Sequence, residues 1–139
     1  MSRSGYSWDN AGDANLYRAN VDRALAGKRG QKMLLDLLEA LEAMSVKRLV
    51  AGKFADEIEV CALGALGHAR GLDMDRWDFL AEHELDEALY RMLSKAFRIP
   101  EILAREIMWV NDEGYWVGNE TPEHRWERVR DWVFGQINE

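Results

Sequence analysis

One cysteine, two prolines and three histidines are all that this 139-residue chain holds of the residues that staple, break or ligate. A lone cysteine, Cys61, cannot form an internal disulfide, so a reducing compartment is the expected home. The histidines and the cysteine show no C-x-x-C or H-E-x-x-H spacing, and no metal site is expected. "EHEL" at 82–85 sets His83 between two glutamates, but adjacent helical residues point apart and cannot share one ion. There is no G-x-x-x-x-G-K-[ST] and no strand-borne G-x-G-x-x-G, so no cofactor is implied. Apolar runs are a few residues long, far short of the ~20 that cross a bilayer. The opening "MSRSGYSWDN" lacks the apolar stretch of a secretory signal. A soluble, cytoplasmic protein is the expectation.

Charge, by contrast, is plentiful and uneven. The formal net charge is −7. Between Leu72 and Glu87 stand Asp73, Asp75, Asp78, Glu82, Glu84, Asp86 and Glu87 against the single base Arg76, so this window carries −6 and the remainder −1. Such a field repels nucleic-acid phosphates and attracts basic surfaces, which disfavours direct nucleic-acid binding through this face.

Helical periodicity dominates the rest. Residues 1–12 read as a loose polar tail, followed by one domain over 13–139. A first helix is predicted over Asp13–Ala26, interrupted by "GKRG" at 27–30. Gln31–Met44 carries the clearest pattern, with Met33, Leu34, Leu37, Leu38, Leu41 and Met44 on one face. "RLVAG" and "EIEVC", around a "KFADE" connector, read as a small β-hairpin. Ala62–Arg70 returns to helix and stops at Gly71. Leu85, Ala88, Leu89, Met92, Leu93, Ala96 and Phe97 form the next apolar stripe. Pro100 opens a helix to Val110, and "NDEGYWVGNE" reads as a loop. Thr121 then caps a last helix whose inner face is Trp126, Val129, Val133 and Ile137. The fold class is therefore mainly α with a minor β part: a compact bundle of about five or six helices with one small β-hairpin.

Three features invite a chemical reading. Cys61, at the head of "VCALGALGHARG", would be a nucleophile only with a histidine in reach. His68 lies two turns on, about 10 Å along the same helix, which is too far. A buried packing thiol among small residues is the plainer reading. Lys28, Arg29 and Gly30 of "GKRG" could offer a weak anion site at a helix N-terminus. Finally, the aromatics among the carboxylates suit a docking surface with apolar anchors and a charged rim. Its residues are Asp73, Asp75, Trp77, Asp78, Phe79 and Glu82.

The blocks "GKRGQKMLLDLLEALEAM", "KRLVAG", "VCALGALGHARG" and "ETPEHRWERVRDWV", in that order, resemble a group of small proteins carried by phages and prophages of proteobacteria. The acidic stretch from Asp73 to Glu87 fits that pattern least. The group carries no assigned activity, so no catalytic residue transfers. What the resemblance implies is a small cytoplasmic accessory protein of an infected bacterium, of a kind that often binds a host factor, antiviral defence included.

The function expected on these grounds is a non-enzymatic interaction protein, a candidate counter-defence factor, that docks a basic host protein. Two alternatives stand beside it: an anionic-nucleotide binder or sponge at 27–30, and a cysteine-dependent enzyme. A homodimer through the C-terminal helix, with Trp132 and Phe134 beside its inner stripe, is also expected.

Overall fold

The computed structural model describes residues 11–51, 60–74, 76–77, 86–113 and 120–138, without the side chains of 11–15, 86, 87 and 113. Among these residues six helices form: α1 (Ala11–Ala26), α2 (Lys28–Ala43), α3 (Ala62–Ala69), α4 (Asp86–Phe97), α5 (Glu101–Glu113) and α6 (Pro122–Gln136).

The shortest of them is the most buried. In α3 every residue from Ala62 to Gly67 is inaccessible to solvent or nearly so. A helix apolar on all sides must be covered on all sides; α2 and α5 both pack on α3, and α2 carries α1 and α6 on its other flanks. Small side chains let these neighbours approach. The end of α3 is a two-bond C-terminal motif. Gly71, at φ +79°, turns the chain left-handed, and the Leu72 N–H reaches Gly67 O at 2.9 Å while the Gly71 N–H reaches His68 O at 3.0 Å. Glycine takes this conformation without a β-carbon penalty.

Helix α4 ends the same way without a glycine. Arg98 occupies the left-handed region at φ 57°, and the Ile99 N–H returns to Ser94 O at 3.2 Å. Arg70 ties three elements at this corner: its guanidinium donates to Phe97 O and to Asp36 Oδ2 of α2 at 3.0 Å. The core stripe of α4 is Leu89, Leu93 and Phe97, joined by fully buried Tyr90, while Met92 is 37% exposed. Tyr90 adds an aromatic to the apolar stripe, with the Arg105 guanidinium of α5 lying 4.2 Å from its ring centre.

The β-hairpin is not present. Leu49 and Val60 form one isolated bridge, and it is parallel, the opposite sense to a hairpin. No strand occurs among the described residues; the connector 52–59 lies outside them. Val50 N–H does reach Val60 O at 3.0 Å, but the neighbouring backbone groups that would extend a ladder are engaged elsewhere. Leu49 N–H donates to Pro122 O at 3.1 Å, Leu49 O accepts from Arg125 at 2.9 Å, and Val50 O accepts from Asn111 at 2.8 Å. β-Branched residues at 46, 50, 58 and 60 mimicked strand composition, but Val50 is buried in the core and Val60 packs half-buried against it.

Two boundaries also moved. "GKRG" is no connector: Gly27 alone breaks the chain, in extended conformation, and Lys28, Arg29 and Gly30 are the first turn of α2. "NDEGYWVGNE" is not wholly loop, since Asn111–Glu113 complete α5. Among the described residues no helix is long and apolar enough to cross a membrane.

Candidate functional site

Cys61 is fully buried and works as a cap. It is the N-cap of α3, with extended backbone, and its Sγ accepts the Gly64 N–H at 3.4 Å. The next amide, Ala62 N–H, goes to Asn111 Oδ1 at 2.9 Å. His68 is exposed at the far end of the same helix, so the two-turn separation holds. His124 sits on α6, where its Nδ1 lies 2.7 Å from Glu120 Oε2. His83 is outside the described residues.

The acidic window starts from a firm base. Met74 is 5% exposed and seats against Gly67, where a β-carbon would come within 2.2 Å of the Met74 sulfur. Trp77 packs half-buried on the core. Asp73 is exposed, and its Oδ1 accepts the Arg76 N–H at 3.3 Å, as a helix-capping carboxylate does. Asp75, Asp78, Phe79 and Glu82 lie outside the described residues.

The anion candidate divides. Lys28 and Arg29 are exposed, whereas Gly30 is buried. A β-carbon on Gly30 would lie 2.0 Å from Ala24 O of α1. This glycine serves the crossing of two helices.

Sequence reasoning missed the polar network that joins α5 to α6. Asn111 is fully buried and links Val50, Ala62 and its neighbour Asp112. Glu120, whose side chain is 7% exposed, faces His124, Arg125 and Arg128. Arg128 donates to both Glu120 oxygens, at 2.7 and 3.0 Å, and to Val110 O and Asn111 O at the end of α5, at 2.6 and 3.2 Å. Burial alone would raise the Glu120 carboxyl, but hydrogen bonds from Arg128 and His124, with the charges of Arg128 and Arg125, hold it below the usual range. A signal existed: an acid just before the Thr121 cap, followed by a histidine at 124 and arginines at 125 and 128, places all three within reach of that cap. On the other flank, Glu106 of α5, 2% exposed, pairs with Arg18 of α1. These groups hold helices together.

An open groove of about 480 Å³ lies where the C-terminal end of α2 meets α6, lined by Glu42, Lys47, Trp126, Glu127, Arg130 and Asp131. Trp126 forms its floor, donating Nε1–H to Leu41 O at 3.2 Å. The Lys47 ammonium stands 5.2 Å from the indole centre and caps α2 by donating to Met44 O at 2.7 Å. Arg130 crosses the seam to Glu42 at 2.9 Å and lies 5.2 Å from the ring of Phe134. Three acids face two bases here.

No protein-family model matches the chain, and no curated protein and no solved structure is significantly similar to it.

Proposed function

We propose that this chain is a non-enzymatic accessory protein of a phage or prophage, acting in the bacterial cytoplasm by docking a basic host protein through the segment Leu72–Glu87. Inhibition of an antiviral defence component is the role this assigns. The observation that carries the reading is the seat of the segment: an exposed carboxylate, Asp73, directly beside Met74 and Trp77, which are held on the core. Charge concentrated on an anchored segment steers a basic partner, and an aromatic beside it supplies contact area. The residues with catalytic chemistry support the same reading by their employment. Cys61 is a buried cap and His124 belongs to the Glu120 network.

The test is affinity capture of host proteins by the tagged full chain at low and high salt. A protein with a basic surface should be retained, released by salt, and lost when Asp73→Lys and Asp75→Lys are combined. Retention of a partner without basic surface, or capture indifferent to the two lysines, overturns the proposal.

A further inference from the structure

The outward face of α2 is sorted by charge about an apolar centre. Lys28, Lys32, Leu35, Glu39 and Glu42 are all exposed. At 3.6 residues per turn they fall within an arc of roughly 80°. Bases occupy the N-terminal half of this stripe and acids the C-terminal half, with Leu35 between them at 53% exposure.

A second apolar residue stands beside it. Helices α2 and α6 run antiparallel, tied at one end by Gln31, which donates to Gln136 O at 2.9 Å and accepts from Asn138 N at 2.7 Å. At the other end Glu42 meets Arg130. Phe134 lies between these ties, one turn beyond Arg130, and is 60% exposed. Leu35 and Phe134 therefore stand along the same seam.

We infer that this face binds a second copy of the chain, α2 against α2 in antiparallel register about a twofold axis at Leu35. The pattern is complementary to itself under that rotation only. Lys28 and Glu42 each lie seven residues from Leu35, about 10 Å to either side, so Lys28 of one protomer meets Glu42 of its partner. Lys32 and Glu39, three and four residues from Leu35, come opposite each other to within about one residue's rise, ~1.5 Å. The groove at Glu42, Glu127 and Asp131 then receives the basic end of the partner helix. A twofold axis makes each contact twice, which is how self-complementary patches close a dimer. Parallel pairing would set like charges together.

The homodimer therefore centres on α2, with Phe134 of α6 at its edge and Trp132, half-buried on the core, turned away from it. The test is sedimentation equilibrium of the full chain at tens to hundreds of micromolar, with circular dichroism to confirm each variant is folded. Wild type should dimerise, and Leu35→Glu should weaken dimerisation at least about tenfold in Kd. Lys32→Glu and Glu39→Lys should each be monomeric alone, yet associate as a one-to-one heterodimer when mixed, because both charge contacts are restored. A wild-type monomer throughout this range overturns the inference. So does a dimer indifferent to folded Leu35→Glu, or the absence of heterodimer on mixing.

Discussion

Glu120 collects His124, Arg125 and Arg128 within about two turns of the α6 N-terminus. An anion there also complements the positive end of the helix. Because its carboxyl is held below the usual range, the folded state favours the ionised form. Its stabilising contribution is complete above the unfolded glutamate pKa, about 4.3, and is lost as pH falls through the lower folded value. Glu120→Gln keeps the shape and removes the charge. It should lower unfolding free energy by about 2 kcal/mol at pH 7, the scale of a few charge-assisted hydrogen bonds. The difference from wild type should shrink below about pH 4. Urea denaturation at the two pH values reads both quantities. A gap that persists at low pH would assign the loss to packing instead of charge.

At the scale of elements, the junction of α1 and α2 shows how one residue separates two helices. Gly27 has φ −74° and ψ 168°, which any residue can adopt, and a β-carbon there would meet Arg23 O at 3.6 Å and Ala24 O at 3.7 Å, ordinary contacts. Gly27→Ala should shift stability by no more than about 0.5 kcal/mol. Gly30→Ala has the opposite prospect. Alanine gains about 1 kcal/mol of helix propensity over glycine, but its β-carbon would sit 2.0 Å from a backbone oxygen, and backbone cannot turn aside as a side chain can. A net loss of about 2 kcal/mol is expected, the range of overpacked cores. Melting curves of the two variants distinguish the break in the chain from the helix crossing. The polar ties between elements follow the same logic. Asn111 satisfies the Ala62 amide and the Val50 carbonyl from two other segments and donates to its neighbour Asp112, and a buried polar group is tolerated only when so satisfied.

Across the whole molecule, α3 is the hub, buried from Ala62 to Gly67 and bounded by α2 and α5. Its amides are reachable by water only when those helices separate. Ala65, whose N–H donates to Cys61 O at 2.8 Å, should exchange hydrogen with a free energy equal to that of global unfolding. Amides in the first turn of α6 should exchange through smaller openings. Native-state exchange followed by mass spectrometry or nuclear magnetic resonance gives both. Faster exchange at Ala65 than at α6 would displace α3 as the hub. The two proposed surfaces are the acidic segment, which begins just past the C-terminal end of α3, and the sorted stripe of α2, which faces outward.

Helix existence was legible in the sequence because local rules decide it. The 3.6-residue spacing from Met33 to Leu41, the Thr121–Pro122 start and the Gly71 stop each act within a turn or two. The packing role of Cys61 was legible too, since small apolar neighbours on every side leave a helix no exposed face. The residues proposed for host docking, Asp75, Asp78, Phe79 and Glu82, lie outside the described residues, and their part rests on the sequence pattern of carboxylates around an aromatic. What tertiary structure alone decided was the fate of backbone groups with two competing partners. Residues 48–50 and 60 have strand-like composition, yet Pro122 and Arg125 take the Leu49 amide and carbonyl and Asn111 takes the Val50 carbonyl, from afar in the chain. Gly30 could be loop or crossing until Ala24 lay above it. Leu35 and Phe134 share a seam only because α2 and α6 lie side by side. Periodicity reports which face of a helix is apolar; which neighbour covers it, and which residue is left uncovered, depends on contacts between segments far apart in sequence.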